Sequence, residues 1–195
     1  MTDIAGQTVP TTTGRITGSR EGHALCFRGI PYAASPIGAL RFMAPQPHPG
    51  WAGVRETVHA GPAAPQGPSR LELVMGHRTP DWNEDGCLTL NVFRPAEPHA
   101  EQAPRPVLVW FHGGGFTSGS GGWDWYDGSR LAVLGDVVVV TANYRVGPLG
   151  YLYLPEIGAD WYTGNLHKWA MAPRSCGILW ATPERQEDLH PPVIS

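Results

Sequence analysis

The feature that most constrains the fold is a short apolar run at residues 107–111, Val-Leu-Val-Trp-Phe, followed after one histidine by three consecutive glycines at residues 113–115. A continuous apolar run of this length between turn residues is typical of a fully buried sheet strand. A helix is predicted at residues 129–134, with Asp127 as a candidate cap, and a second buried strand at residues 137–140. Strand, loop, helix and strand in this order indicate an α/β sheet.

The segments before this run indicate that the sheet is mixed. Residues 8–12, 14–18 and 23–27 are short strand candidates separated by turn signals, and we expect them to form a small antiparallel meander. Residues 31–68 carry too many prolines and glycines for regular helix and are predicted to wrap irregularly over the surface. Regular structure resumes at residues 87–93, which alternate in polarity as a half-buried strand does.

Composition argues against several classes of function. The 195 residues carry a net charge of -3 with no basic cluster, which argues against binding to nucleic acid or to an anionic membrane. No stretch approaches the about 20 apolar residues of a membrane helix and no signal peptide is recognisable, so a cytoplasmic protein is expected. Cys26, Cys87 and Cys176 are widely spaced, so neither a metal site nor a disulfide framework is predicted. No cofactor is expected, and the oligomeric state stays open.

The glycine run is the strongest candidate for chemistry. Gly113, Gly114 and Gly115 lack side chains that would block a ligand, and their backbone can take conformations that other residues resist. N–H groups in such a turn can point together at a developing oxyanion. A flexible turn is the plain alternative, and a phosphate-binding loop is a weaker one because neither GxxxxGK[ST] nor a helix-opening GxGxxG occurs.

Several motifs stand in a fixed order along the chain. They are Phe-Arg-Gly-Ile-Pro-Tyr-Ala at 27–33, Leu-Arg-Phe at 40–42, Glu-Asp at 84–85, Cys-Leu at 87–88, Leu-Asn-Val at 90–92, His-Gly-Gly-Gly-Phe at 112–116, Asn-Tyr-Arg-Val-Gly at 143–147 and Gly-Asn-Leu at 164–166. As an ordered set, over about residues 8–166, they resemble the type-B carboxylesterases, which include the bacterial para-nitrobenzyl esterases and the cholinesterases. Each motif alone is unspecific, whereas the set is highly specific.

The resemblance implies an α/β-hydrolase fold, present here as the mixed sheet of its N-terminal half, and hydrolysis of small-molecule carboxylic esters through a Ser-Glu/Asp-His triad. By position, Gly114 and Gly115 are expected to supply two N–H groups of the oxyanion hole, and Gly113 to shape the loop. Arg41 and Glu84 match a structural ion pair of the family. The histidine of the glycine motif is expected to shape the loop, because the catalytic histidine of such enzymes lies far towards the C-terminus.

Two positions depart from the family pattern. Gly86 separates the acidic pair from Cys87, and no cysteine precedes it at the expected distance, so Cys87 is predicted to be a small buried apolar residue. After Leu166 the family continues into a GLxDQ stretch and a G-x-S-x-G elbow about 30 residues on. Neither is present. Residues 1–166 are therefore assigned to the N-terminal part of a carboxylesterase domain. Residues 167–195 are assigned to a divergent tail that is disordered or read out of frame. The alternative is a tail without a frame change that has genuinely diverged from the family.

No serine of the chain has a glycine at both second-neighbour positions. The serines tested are Ser19, Ser35, Ser69, Ser118, Ser120, Ser129, Ser175 and Ser195. Without nucleophile, acid and histidine, these residues alone are expected to be inactive, and the strand at 107–111 is expected to form an open sheet edge. A non-catalytic binding remnant or pseudoenzyme is the alternative function. A binding surface built on exposed Trp123 and Trp125 ranks last.

Overall fold

The structure, a computed structural model, describes residues 7–77, 81–98, 104–151, 161–165 and 177–181. The chain divides into two compact units, Met1–Tyr151 and Leu152–Ser195. The strands are β1 (Thr8–Pro10), β2 (Arg15–Thr17), β3 (Ser19–Glu21), β4 (Ala24–Pro31), β5 (Val54–Glu56), β6 (Thr89–Pro95), β7 (Val107–Phe111), β8 (Val138–Ala142), β9 (Trp161–Asn165) and β10 (Gly177–Ala181). The α-helices are α1 (Glu72–Met75), α2 (Ser129–Gly135) and α3 (Pro148–Tyr151), and single 3₁₀ turns cover Gly38–Leu40 and Asp124–Tyr126.

The main sheet of the first unit has five strands in the order β3-β4-β6-β8-β7. Strands β7 and β8 are parallel, whereas the other neighbours are antiparallel. This confirms the predicted mixed sheet. The parallel pair is connected through the glycine loop and α2, which is the crossover that two parallel neighbours require.

The predicted antiparallel meander near the N-terminus is wrong in its third strand. β1 and β2 do pair antiparallel, but the next strand of that small sheet is β5, which is parallel to β2 and lies inside the segment expected to be irregular. The third candidate joins the main sheet as β4. Gly18 marks the change of sheet: a Cβ there would lie 2.2 Å from the carbonyl oxygen of Cys26, so only glycine lets the chain cross so close to β4.

Two apolar cores cover opposite faces of the main sheet. The core beneath α2 consists of Ala24, Cys26, Phe93, Ala132 and Val139. The other consists of Ile16, Leu25, Phe27 and Ile30, with partly buried residues from β1, β6 and the proline-rich segment packed against it. Alternate side chains of β4 enter the two cores, so both parities of β4 are buried, whereas β6 alternates between buried and partly buried residues.

Strand β7 is not buried, which corrects the prediction from its apolar run. All five of its residues are exposed, from 41% at Leu108 to 66% at Phe111. Within the described residues, β7 is the edge of the sheet and pairs on one side only, with β8. Helix α2 packs on β4, β6 and β8 and leaves the faces of β7 uncovered. The expectation of an open edge is confirmed for this part of the chain.

Helix α2 begins close to where the sequence predicted it, but its N-cap differs. Gly128 occupies the cap position and no side chain caps the helix. Asp127 lies one residue earlier and accepts a hydrogen bond from the Ser129 N–H at 2.9 Å. Its carboxylate also binds Arg28 at 2.7 Å, and Arg28 in turn binds Glu21 at 2.5 Å, so one guanidinium joins β3, β4 and the start of α2.

We expect this cluster to make the chain acid-sensitive. Hydrogen bonds from Arg28 outweigh burial and lower the pKa of Glu21; burial opposes ionisation of Asp127, but hydrogen bonds from Ser129 and Arg28 outweigh it and lower that pKa too. Because the pKa of each carboxyl group is lower in the folded chain than in the unfolded chain, the ionised groups stabilise the fold at any pH above the ordinary carboxyl pKa. That stabilisation is lost as the pH falls through the folded-state pKa values. The midpoint of urea unfolding, measured from pH 6 to about pH 3, should therefore fall less steeply with decreasing pH in the double variant Glu21→Gln/Asp127→Asn than in the wild type. Glu56→Gln, on exposed β5, is the control and should leave that pH dependence unchanged.

In the second unit, β9 and β10 form an antiparallel pair in which Thr163 lies opposite Leu179. The sequence predicted no regular element after Leu166, so β10 is a strand that it missed. The rest of residues 167–195, and with it the predicted disorder or change of frame, lies outside the described residues. Among the described helices, none is both long and apolar enough to cross a membrane.

Candidate functional site

Arg41 and Glu84 form an ion pair. The Arg41 Nε donates to Glu84 Oε1 at 2.7 Å, and the Arg41 Nη2 binds Glu84 Oε2. The Glu84 side chain is mostly buried, whereas the Arg41 side chain is half exposed. The pair connects the proline-rich segment to the turn before β6. Solvent screening keeps the energy of such a half-exposed pair small, so its contribution is to position the segment.

The glycine loop leaves the end of β7 with an unusual backbone. Gly114 has φ +132° and Gly115 has φ +64°, both in the positive-φ region that favours glycine. Phe116 follows with φ +63°, and its carbonyl accepts the Gly147 N–H at 2.6 Å. The Gly114 carbonyl accepts N–H groups from Thr117 and Ser118 at 3.2 and 3.3 Å, so it is turned back into the loop.

His112 orients the first peptide of this loop. Its ring is buried, stacks on Tyr144 with 4.2 Å between ring centroids, and has Nδ1 2.9 Å from the Gly113 carbonyl oxygen. Burial lowers the pKa of His112, against a smaller effect of that hydrogen bond, so the ring stays neutral and donates through Nδ1. The carbonyl of Gly113 and the N–H of Gly114 belong to one trans peptide and point in opposite directions. Holding the carbonyl against His112 therefore aims the Gly114 N–H away from it.

Neither the Gly114 N–H nor the Gly115 N–H donates a hydrogen bond to any residue in the described ranges. The backbone bonds of the loop are formed instead by Thr117 and Ser118 as donors and by Gly114 as acceptor. Two neighbouring N–H groups without protein acceptors, on a segment that cannot relax into a ladder, are suited to an anionic oxygen.

Gln66 binds the far end of the loop through its side-chain amide. Its Oε1 accepts the Gly119 N–H at 2.5 Å, and its Nε2 donates to the Gly119 carbonyl at 2.8 Å. This two-point contact mimics a strand pairing and connects a segment of the proline-rich wrap to the glycine loop. The sequence analysis did not identify Gln66, because nothing in a local pattern distinguishes it from a surface glutamine.

Asn143 is the centre of a buried polar network beneath the loop. Its Oδ1 accepts hydrogen bonds from the Ser120 hydroxyl at 2.9 Å and the Gly121 N–H at 2.8 Å, and its Nδ2 donates to the Pro62 carbonyl at 2.9 Å. Beside it, Asn91 Nδ2 donates to the Gly121 carbonyl at 3.1 Å. Every polar atom of the Asn143 amide thus has a partner, which buried amides require. The motif at residues 143–147 pointed to this asparagine but not to its contacts.

The described serines and cysteines of this region are not placed as nucleophiles. Ser120 is 1% exposed, and its hydroxyl donates to an amide oxygen, not to a base. Ser118 is likewise buried. Cys26 and Cys87 are free and buried, and burial raises the pKa of their thiols to about 12 and about 11. Cys87 is therefore the small buried residue that the sequence predicted.

Trp123 and Trp125 do not form the exposed surface proposed from the sequence. Trp123 is 5% exposed and packs edge to face on Trp125, with 4.9 Å between ring centroids, and Trp125 is partly buried. That expectation was wrong because the turn at Asp124–Tyr126 folds both rings inward. Among the described residues, no group of three or more His, Cys, Asp or Glu side chains is arranged to hold a metal ion.

Comparison with known proteins agrees with this geometry. The model of the Carboxylesterase family matches residues 5–168. Phenmedipham hydrolase from Pseudarthrobacter oxydans is 45% identical over 144 residues, which cover 73% of this chain and 28% of that protein. Para-nitrobenzyl esterase from Bacillus subtilis is 42% identical over 174 residues, which cover 89% of this chain and 34% of that protein. The chain thus spans about a third of the length of these relatives.

Solved structures show the same similarity. A PNB esterase structure matches with a TM-score of 0.71 at 43% identity, over 78% of this chain and 30% of its own. The Geobacillus stearothermophilus carboxylesterase EST55 matches with a TM-score of 0.64 at 43% identity, over 76% of this chain and 28% of its own. These are α/β-hydrolase carboxylesterases, so the incomplete α/β-hydrolase fold expected from the sequence is confirmed.

Proposed function

Since the chain belongs to the carboxylesterase family, we propose that it serves the hydrolysis of small carboxylic esters and that its glycine loop is the oxyanion hole of that reaction. Ester hydrolysis by a serine nucleophile passes through a tetrahedral intermediate whose oxygen carries a negative charge. Preorganised N–H donors that point at this oxygen are commonly the largest single contribution to catalysis. In this proposal Gly114 and Gly115 donate to the oxyanion, and Gly113 shapes the turn through its backbone carbonyl, which lies against His112 and which an alanine would keep.

The observation that carries the proposal is the pair of N–H groups at the end of β7 that have no acceptor among the described residues. The contacts of His112 support it, because they fix the peptide plane of the Gly114 N–H before any substrate arrives. A plain flexible turn would have no need of a buried ring and a two-point glutamine contact at its two ends.

The nucleophile is a separate question. None of the serines in the 195 residues stands in G-x-S-x-G, and the Ser120 hydroxyl is bound to Asn143. We therefore propose that these 195 residues by themselves do not turn over esters. An active enzyme of the family would need a nucleophile, an acid and a histidine from sequence outside them. A non-catalytic role as a binding remnant is the second candidate, and the missing motif is the observation that favours it.

Catalytic silence of the purified chain is the expected result of an activity assay. Loss of a serine nucleophile lowers turnover by about 10⁶-fold, so para-nitrophenyl acetate should be hydrolysed no faster than with an inert protein at equal concentration. A fluorophosphonate probe should label no serine, as read by intact-mass spectrometry. Bacillus subtilis para-nitrobenzyl esterase serves as the positive control. Stoichiometric labelling that disappears in Ser120→Ala would show that the chain has its own nucleophile and would refute the proposal of silence.

A further inference from the structure

Gln66 differs from an ordinary surface glutamine because its whole side-chain amide is engaged in hydrogen bonds. Its Oε1 accepts the Gly119 N–H at 2.5 Å, and its Nε2 donates to the carbonyls of Gly119 at 2.8 Å and Ala64 at 3.0 Å. The backbone before it is anchored, since Ala63 and Ala64 are both buried and Ala64 packs in an apolar core cluster. A glutamine fixed in this way holds both peptide groups that flank the Gly119 Cα.

Gly119 lies against the hydrogen bond that orients the glycine loop. That bond joins His112 Nδ1 to the Gly113 carbonyl oxygen at 2.9 Å. A Cβ built on Gly119 would lie 2.2 Å from His112 Nδ1 and 2.4 Å from the Gly113 carbonyl oxygen. Gly119 is buried and has φ +116°, so its Cα covers this side of the bond and leaves no room there for a competing water molecule.

We propose that Gln66 is a positioning residue of the oxyanion hole, an inference that rests on the proposed function of the loop. Gln66 holds Gly119 in place, and Gly119 in turn keeps the Gly113 carbonyl bonded to His112. Since that carbonyl shares its peptide plane with the Gly114 N–H, the same contact sets the direction of a donor that the oxyanion uses. Gln66 does not touch the substrate in this scheme and acts only through the backbone.

A purely structural contact is the alternative role for Gln66. It would connect the proline-rich segment to the loop and stabilise the fold without any effect on the donors. Within the described ranges, the backbone groups of Gly119 form hydrogen bonds with Gln66 and with no other residue. No second contact of this kind would hold Gly119 after loss of the Gln66 amide, so the two roles predict different behaviour of the His112 ring.

Gln66→Met tests this link in the chain itself, because methionine keeps nearly the same volume and removes all three hydrogen bonds of the amide. His112 Nε2 has no partner among the described residues, so the Nδ1 bond alone decides the tautomer. By ¹⁵N NMR, the wild-type ring should carry its proton on Nδ1, whereas the variant should show a mixture of both tautomers. Gln46→Met is the matched control, since Gln46 also donates to the carbonyl two residues before it, at 3.3 Å, and should leave the tautomer unchanged.

The consequence for catalysis can be measured in a chimera in which residues 5–168 replace the matching segment of Bacillus subtilis para-nitrobenzyl esterase. Gln66→Met should lower kcat for para-nitrophenyl esters about 10–100-fold and change KM less than about threefold, because a misdirected donor acts on the transition state. Added to Gly114→Ala, it should lower kcat by less than about a further threefold, since both changes act on one N–H group. Gln46→Met should leave kcat and KM unchanged.

These kinetics distinguish failure of this inference from failure of the proposed function. If Gly114→Ala lowers kcat while Gln66→Met does not, or if the two losses multiply in the double variant, Gln66 is a structural contact and its positioning role is overturned. An unchanged His112 tautomer in Gln66→Met overturns it as well. If Gly114→Ala leaves kcat unchanged, the loop is not the oxyanion hole and both proposals are wrong.

A measurement on the wild-type chain keeps the inference testable if Gln66→Met fails to fold. The side-chain amide protons of Gln66 should exchange with solvent at least about tenfold more slowly than those of exposed Gln46, because the Gln66 amide is held between two backbone carbonyls. Equal exchange rates for the two glutamines, or a wild-type His112 ring with its proton on Nε2, would overturn the inference without any variant.

Discussion

Gly114→Ala is expected to lower kcat by about 10²–10³-fold in a chimera in which residues 5–168 replace the matching segment of Bacillus subtilis para-nitrobenzyl esterase. Gly114 has φ +132°, and a Cβ there would lie 1.9 Å from the Ser118 carbonyl oxygen. Because this contact is with backbone, the loop itself must move, and the Gly114 and Gly115 N–H groups move with it. Loss of one oxyanion donor has an effect of this size in serine hydrolases.

The neighbouring glycine provides the matched control. Gly113 has no left-handed φ, and a Cβ there meets no atom of the described residues within 4 Å, so Gly113→Ala should change kcat little. Steady-state kinetics with para-nitrophenyl esters separate the two variants, and the Gly114 defect should appear in kcat more than in KM because the donors act in the transition state. Equal losses in both variants would point to general damage of the loop, and full activity of Gly114→Ala would remove these N–H groups from the mechanism.

Asn143→Ala is expected to lower the free energy of unfolding of the chain by about 2–4 kcal/mol. The substitution leaves the Ser120 hydroxyl, the Gly121 N–H and the Pro62 carbonyl without their present partner in a buried region. Each buried polar group without a partner costs about 1–3 kcal/mol, although relaxation and entry of water recover part of the sum. The expected loss is large because the Asn143 side chain binds three separate groups of the chain through hydrogen bonds.

An exposed asparagine with a single contact gives the comparison. Asn83 is exposed, and among the described residues its side chain accepts one hydrogen bond, from the Asp85 N–H, so Asn83→Ala should change stability by no more than about 0.5 kcal/mol. Urea unfolding followed by circular dichroism measures both variants. If the two variants unfold at the same urea concentration as the wild type, the network around Asn143 contributes nothing to stability.

The candidate site was predictable where the signal is local. Gly113, Gly114 and Gly115 stand directly after an apolar run, and three glycines in succession permit the backbone that the structure shows at the last two. The ordered motifs predicted the family, the mixed α/β sheet and the partners Arg41 and Glu84, which lie in two separate motifs. These features depend on residue type and spacing, so they can be predicted from the sequence alone.

Contacts between distant segments were not predictable in this way. Gln66 binds Gly119 across more than fifty positions of the chain, and no local pattern marks a glutamine for such a contact. Gly128 and not Asp127 occupies the N-cap of helix α2, and the Asp127 carboxylate one residue earlier binds both the Ser129 N–H and Arg28 of β4. The partners of a polar side chain are chosen by whichever groups the fold brings near it.

Residue type and order alone determined that this chain forms strands, a glycine turn and a short helix of the carboxylesterase kind. Tertiary structure decided which of the apolar segments are buried. Val139 of β8 and Val109 of β7 are the same residue type on neighbouring parallel strands, yet Val139 is 2% exposed and Val109 is 51% exposed. The physical reason is that the hydrophobicity of a residue sets the free energy that its burial would contribute, whereas burial itself requires neighbouring elements. Within the described residues, β8 has a strand on both sides and β7 has a strand on one side.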